Sequence, residues 1–528
     1  KSCSTGGTDK QLLNSTRRVS SFRRISMGIE TELKFRAPGH ELKSLGLGKL
    51  PAGRIGQRAE SDLVSTYFDT TKQKLRRRGL SLRVRQVGSK RIQTIKSTTG
   101  AQFGRGEWES EIEGDTPDLG KAEGTPIERF VSKKLRKKLR PVFQTRVHRT
   151  TLPVHTKNIQ IELAVDLGKI VAGRRSSRIE EFELELSKGR PEDLFHYAKA
   201  VERKAQAELY LRTKSEQGYA LVDGKNDAAH HAEPIELKEE MDVGEAFRLI
   251  ARSTVRHFSA NADAVRNLDS EGVHQMRVGL RRLRAAISLF SAVLPGGQTE
   301  AIKTELKWLT NELAPAREID VFVKEKIHRA AQQNFPRRGG KALEDEFAAR
   351  REAALERARR AITSERYRAL LLDVLQWIEV RDSRSQNDAS ISIGKFAAKL
   401  LHRRVKKIVK AGRDLKALSV RQRHKFRIKI KKIRYAAEFF ESLFPAKHDR
   451  KQLARLSARL KKIQDALGAL NDYIAHQKLA ADVALKTSTQ NRRARAFAAG
   501  VIVGREDAAL KPLMKMAAKE VTALRISV

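Results

Sequence analysis

The chain has 528 residues, with 107 Lys and Arg against 63 Asp and Glu, a formal net charge of +44, 40% hydrophobic residues and 6% aromatic ones. That length excludes a single ordinary core and points to two to four domains of roughly 100–200 residues, while the charge asks for a polyanionic partner: nucleic acid, an anionic membrane surface or a phosphate polymer. Few aromatics speak against single-strand nucleic-acid binding by base stacking, the lone Cys3 excludes an intrachain disulfide or thiolate metal cage, and no apolar run reaches the roughly 18 residues of a membrane span.

Residues 1–26 are polar, carry Arg17, Arg18, Arg23 and Arg24, and lack the apolar centre of a secretory signal. They read as a disordered extension ahead of Met27, taken as the natural start. Ile29 to Phe35 then alternates strictly, so a β-strand sends Glu30, Glu32 and Lys34 to one face and Ile29, Leu33 and Phe35 to the other. The same alternation recurs at Leu82–Arg85, Glu107–Ile112, Ile161–Asp166 and Glu181–Leu186. For one strand this is an ordinary solvated face. Across the set, some strands carry carboxylates and others Arg, which favours a closed antiparallel barrel with a charged interior and an apolar exterior covered by helices. Two covering helices are expected, from Phe130 to Arg140, stopped by Pro141, and from Pro191 to about Lys204. Opposed charges in such a tunnel are costly to desolvate and make sense around a hydrated metal ion and a highly charged anion.

The motifs Glu30-x-Glu32-x-Lys34, Tyr67-Phe68-Asp69-Thr70, Leu80-Ser-Leu82-Arg83-Val-Arg85, Thr94-Ile-Lys96, Glu162-x-x-x-Asp166-x-Gly168, Glu181 to Leu186 and Ser215-Glu-Gln-Gly218-Tyr219 follow one another along residues 27–222. In order and spacing this set resembles a CYTH domain. The resemblance implies an eight-stranded antiparallel tunnel, a triphosphate tunnel metalloenzyme that hydrolyses a triphosphate or cyclises a nucleoside triphosphate with Mg²⁺ or Mn²⁺. On it, the metal falls to Glu30, Glu32, Glu183 and Glu185 with Asp166 as a further ligand, since Mg²⁺ takes a few carboxylates and keeps waters. Lys34, Arg83, Arg85, Lys96 and Arg146 then clamp phosphate oxygens, Glu30, Glu32 and Lys34 forming the catalytic set. Glu109 and Glu162 either join this site or only balance interior Arg.

Residues 223–238 are small and polar and read as a linker, its His230 and His231 solvated rather than metal-bound. From 239 the chain turns Ala/Leu/Arg/Lys-rich with helical periodicity. One pattern occurs twice, at His274, Arg277, Arg281, Arg284 and at His424, Arg427, Lys431, Arg434, its histidines 150 residues apart. On an α-helix these positions share a stripe roughly 80° wide. An apolar stripe lies alongside, Met276, Leu280, Leu283 and Ile287 in one copy and Phe426, Ile430, Ile433 and Ala437 in the other. The repeat continues to Arg317 and Asn471 and predicts a helical bundle with an internal pseudo-twofold, the two stripes facing across one groove with His402 to Lys407 on its rim.

These two helices resemble the signature of the CHAD domain, the conserved-histidine α-helical domain, over residues 239–510. The resemblance implies binding of inorganic polyphosphate; Glu318 departs from the Asp expected after Arg317. The expected order is thus an extension (1–26), tunnel domain (27–222), linker (223–238), helical domain (239–510) and C-terminal tail (511–528). The expected function is metal-dependent hydrolysis of inorganic triphosphate coupled to polyphosphate binding, in the cytoplasm or at polyphosphate granules. Two alternatives stay open: a non-catalytic polyphosphate-binding, granule-targeting protein, and a nucleic-acid-binding protein whose charge follows phosphate backbones non-specifically. Adenylate cyclase and thiamine-triphosphatase activities rank lower, because no pocket for a base or thiazolium ring is evident.

Overall fold

The computed structural model describes residues 31–97, 106–130, 133–225, 227–294, 296–327, 336–380, 391–486 and 492–524. Met27 and Glu30 fall outside the described residues. The first half is one antiparallel sheet of ten strands: β1 (Glu32–Arg36), β2 (Arg54–Ile55), β3 (Ala59–Asp69), β4 (Leu80–Val87), β5 (Lys90–Ser97), β6 (Glu107–Ile112), β7 (Arg140–His155), β8 (Gln160–Ala172), β9 (Arg175–Lys188) and β10 (Glu208–Leu209). Two of these are two-residue strands, leaving the eight long ones expected. They pair in the order β10-β1-β9-β8-β7-β3-β4-β5-β6, with β2 on β7.

Because residues paired across antiparallel strands share a face, register sorts the charges. Glu32, Lys34 and Arg36 stand opposite Glu185, Glu183 and Glu181; Glu162 stands opposite Glu185 and Asp166 opposite Glu181; Arg149 stands opposite Asp166. On the far strands Ser65 and Tyr67 oppose Arg85 and Arg83, and Thr94 and Lys96 oppose Glu109 and Glu107. All of these occupy one face. Lys96 on β5 acts electrostatically on Glu183 on β9, five strand intervals away, which a flat sheet would separate by about 24 Å. The sheet is therefore curled around its charged face. No ladder joins β6 to β1 or β10 among the described residues.

The helices are α1 (Gly39–Gly46), α2 (Lys133–Arg136), α3 (Pro191–Ala205), α4 (Lys214–Asp223), α5 (Val243–Ser259), α6 (Ala262–Arg266), α7 (Ser270–Leu289), α8 (Gly296–Glu312), α9 (Ala314–Val321), α10 (Arg337–Thr363), α11 (Glu365–Glu379), α12 (Ile393–Ala411), α13 (Val420–Phe439), α14 (Lys447–Lys486) and α15 (Arg492–Thr522). The helix expected at Phe130–Arg140 is a single turn, α2, and β7 already begins at Arg140. Outer-face Leu33, Phe35, Leu163, Val165, Phe182 and Leu184 are buried with Leu42 of α1 and Leu194, Phe195 and Val201 of α3. That core runs on without a break into the helical half. Arg368 of α11 donates to Glu202 of α3 (2.7 Å) and Lys199 of α3 pairs with Asp373 of α11 (2.6 Å), fastening the two halves.

At one end the inner face turns apolar. Leu63, Tyr67, Phe143, Val147, Ile170 and Ile179 pack around Tyr219 and Leu221 of α4, which plugs the tunnel. Gly218 permits this, since a Cβ there would strike the Phe143 ring. Asp69, fully buried, accepts the Tyr219 hydroxyl (2.9 Å) and the Leu75 and Arg76 amides (2.9 and 3.0 Å), so its motif ties the β3 turn to the plug.

In the second half α7 and α13 span equivalent residues 150 positions apart. The repeat reaches back to α5 and α12, whose N-caps, Asp242 and Ser392, pair as an isolated antiparallel bridge beside the pseudo-twofold. Helices α10 and α11 lie in the chain between α9 and α12, and α10 falls about 150 residues before α15. The segment expected as a solvated linker is packed: Ile235 and Leu237 are buried, and Leu237 exchanges hydrogen bonds with Ser442 (2.8 and 3.1 Å). The tail expected from 511 is the second part of α15, because Pro512 lies inside the helix and Met514, Ala517 and Val521 carry its buried stripe onward.

Candidate functional site

The tunnel interior holds two charge clusters. In the first, oxygens of Asp166, Glu181 and Glu183 lie within 4.8 Å of one another. Arg149 embraces Asp166 with two N–H groups (2.6 and 2.7 Å) and donates to Glu183 (2.9 Å). Lys214, the first residue of α4, places its ammonium 2.7 Å from Asp166 and 3.3 Å from Glu183 and also pairs with Glu181. Lys34 reaches Glu181 (3.4 Å) and the Arg212 carbonyl. Burial works against ionising Glu183, but Lys214, Arg149, Lys34 and Lys96 hold its carboxyl well below the ordinary range. Burial likewise opposes the charge on Lys214, and Asp166, Glu181 and Glu183 overcome it and raise the ammonium above its ordinary value.

The second cluster faces the first. Arg83 pairs with Glu107 (3.5 Å) and Glu109 (3.9 Å), Lys96 with Glu107 (2.5 Å), and Thr94 donates to Glu109 (2.9 Å). Glu109 thus does balance an interior Arg. Arg85 is pushed down to about 10 by Arg83, by burial and by Arg149, the mark of cations crowded beyond their counter-charge. Glu32, Glu185 and Glu162 form a row of carboxylates across β1, β9 and β8.

Of the expected tunnel residues, Glu32, Lys34, Arg83, Arg85, Lys96, Asp166, Glu183 and Glu185 share this face and Glu30 lies outside the described residues. Arg146 does not join them. It is exposed on the opposite face, donating to Gln144 (2.8 Å), and Arg149 stands where an inward cation is needed. The alternation of β7 misleads because its buried side changes: inward Phe143 and Val147 meet the plug, whereas outward Leu152 and Val154 meet the main core. Lys214 and Glu181 also escaped the reading. The signal for Lys214 was the capping box of Thr213 and Glu216, which starts α4 at that lysine.

In the helical half α7 and α13 bring part of the repeated stripe together around Arg281, which acts on both Arg427 and Lys431. Burial, Arg427, Arg281 and Arg434 push Lys431 down to about 7. Burial and Arg317, with Arg281 and Arg277, hold His274 down to about 4, and its Nδ1 is buried without a hydrogen bond. Arg277 falls to about 10 through burial and Arg281, while donating to the Thr310 carbonyl (2.8 Å). The Nε atoms of Arg277, Arg427 and Arg434 are buried without partners. Gly468 of α14 leaves room for the Arg427 guanidinium, 3.3 Å from where a Cβ would stand. Arg284 acts, with Arg404 and Lys303, on Lys432 beside Lys431, and His424 is exposed. Arg317 pairs with buried Asp320 (3.3 Å), while Glu318, which stands where Asp is expected, acts on Arg277. His230 is no solvated linker histidine, for burial and Arg212 push it down to about 4.

Family models for the CYTH domain and the CHAD domain match residues 28–219 and 249–481. The chain is a CYTH–CHAD protein. An inorganic triphosphatase of Haemophilus influenzae is 31% identical over 164 residues, 30% of this chain and 46% of that protein; the CYTH–CHAD chain therefore spans about half the length of that curated relative. Among solved structures, the CHAD domain of the plant Ricinus communis is 28% identical with a TM-score of 0.48, covering 56% of this chain and 98% of that one. PptA from Streptomyces chartreusis is 17% identical with a TM-score of 0.40, covering 53% and 99%.

Proposed function

We propose that the CYTH tunnel hydrolyses inorganic triphosphate with a divalent cation, Mg²⁺ or Mn²⁺, and that the CHAD groove binds inorganic polyphosphate. The observation that carries the first part is the convergence on Glu183 of cations from four elements, Lys34 of β1, Lys96 of β5, Arg149 of β7 and Lys214 of α4. Such a ring offers donors from several sides to the oxygens of a linear phosphate chain, and phosphoryl transfer depends mainly on positioning and charge stabilisation. The donor set suits a hard cation: carboxylates alone, with no sulfur or imidazole. Asp166 and Glu183 are both engaged by Arg149 and Lys214, so Glu32 and Glu185, with Glu30, are the better ligands, Glu183 and Asp166 being further ligands that also fix the cations. A bound metal would neutralise phosphate oxygens and polarise the bond to be broken. Lys34, Arg83, Arg85 and Lys96 hold the chain in line, and a carboxylate of the Glu32 row orients the attacking water. The test is phosphate release from tripolyphosphate by the purified chain; none with either Mg²⁺ or Mn²⁺ overturns the enzyme.

Arg277, Arg427 and Lys431, pushed down by burial and by neighbouring arginines, favour an anion that spans several of them at once. Polyphosphate granules are then the place to look for the protein, and no described helix is long and apolar enough to cross a membrane. A chain that binds polyphosphate without turnover would instead be the non-catalytic, granule-targeting protein. Competition of long-chain polyphosphate against duplex DNA and RNA at physiological salt separates both from a nucleic-acid binder, which would prefer the duplex.

A further inference from the structure

The two halves meet where the tunnel's cations are anchored. A cleft of about 1320 Å³ between them is lined by Arg212, Ser215 and Glu216 on the tunnel side and by Arg248 and Arg256 of α5 on the other. Glu216 is the third residue of α4 and closes its capping box, accepting the Thr213 amide (2.7 Å) through Oε2 while its own amide donates to the Thr213 hydroxyl (3.1 Å). Its other oxygen, Oε1, is taken by Arg256. Arg256 thus grips the cap that begins α4 at Lys214, whose ammonium joins Asp166, Glu181 and Glu183. A second grip lies on β1. Arg36, two residues beyond Lys34 on the same face, pairs with Asp263 of α6 (2.7 Å) and approaches Glu208 (3.5 Å), which Arg266 of α6 also holds. The Tyr210 ring lies 5.2 Å from Lys34 Nζ and 4.8 Å from the Arg36 guanidinium, linking that grip to the catalytic lysine.

We propose that the helical half is a working part of the tunnel site: Arg256, through Glu216, and Asp263, through Arg36, are positioning residues that hold Lys214 and Lys34 at the phosphate chain. The inference rests on the triphosphatase reading. Losing one charge-assisted contact to the cap frees the first turn of α4, so Lys214 spends less time at the phosphates, whereas a structural role alone would lower stability and leave the affinity of the folded fraction unchanged.

The experiment uses the full chain and tripolyphosphate, with binding measured by calorimetry in EDTA and turnover measured with Mg²⁺. Arg256→Ala should weaken binding and lower kcat/KM each by about tenfold, the scale of one charge-assisted hydrogen bond. Arg256→Lys should recover most of both, and Asp263→Asn should lose less because Arg36 keeps Glu208. Arg248→Ala removes the same charge from the same cleft without touching the cap and should leave both within twofold. Wild-type binding matched by Arg256→Ala, or an equal loss in Arg248→Ala, overturns the positioning role while the triphosphatase stands. A wild-type chain that neither binds nor cleaves tripolyphosphate overturns both.

Discussion

The tunnel and the groove are both built of cations, yet they hold them in opposite ways. In the tunnel the cations other than Arg85 meet carboxylates: Arg149 and Lys214 share Asp166 and Glu183, and Lys96 and Arg83 share Glu107. Those paired charges are compensated before a ligand arrives, which keeps the site ordered, as the proposed hydrolysis of a phosphate chain requires. In the groove burial, together with the neighbouring Arg427, Arg281 and Arg434, pushes Lys431 down to about 7. Asp472 offsets Arg427 and Lys431 only in part, and on the proposed reading the anionic ligand supplies the rest of the counter-charge. A preorganised site suits chemistry, and an uncompensated one suits retention.

The sharpest break between the two is the sign of a deletion's effect on stability. Lys214→Ala leaves three clustered carboxylates short of a cation, and should cost about 3–5 kcal/mol by chemical denaturation and about 10²–10³-fold in tripolyphosphate turnover. Lys431→Met removes a crowded charge, so thermal melting of the free chain should rise while polyphosphate affinity falls about tenfold, read by calorimetry. A melting temperature lowered by Lys431→Met would erase the contrast. Within the tunnel, Arg149→Ala should cut turnover by about a hundredfold, whereas Arg146→Ala, on the outer face, should stay near wild type. Equal losses would mean that the strand faces are misassigned.

The pH dependence gives the smallest and finest test. The folded chain depresses Lys431 from 10.5 to about 7, so between those values the unfolded chain binds more protons and stability rises with pH. An anion in the groove draws the proton back. Polyphosphate binding should therefore take up protons, with affinity growing as pH falls from about 9 toward 7, and Lys431→Met should flatten that slope. The tunnel carboxylates behave in the other sense: Glu183 and Asp166, held low by Lys214 and Arg149 once burial is overcome, contribute stability that is full above their unfolded values. That contribution is lost only as pH falls through the depressed ones.

Much of this was legible from local pattern. The alternation of Glu32, Lys34, Glu181, Glu183 and Glu185 placed those residues on one strand face, because a strand has period two whatever surrounds it. The spacing of the two helices with His274 and His424 announced equivalent elements, and α7 and α13 do begin and end 150 residues apart. The pattern could not say which side of β7 is inward, since the buried side changes along that strand as its neighbours change from the plug to the main core. Nor could it reach Lys214, which meets Asp166 and Glu183 only because the curled sheet and the plug helix bring α4, β8 and β9 together.

By itself, then, the sequence determined the two halves, their periodicities, the repeat and the presence of charged faces, all of which depend on neighbours a few residues away. Only the tertiary structure decided which charges are compensated and which are left waiting, because a side chain's counter-ion here comes from residues tens to more than a hundred positions away. The same structure decided that the helical half holds the cap of the tunnel's plug through Arg256 and Glu216.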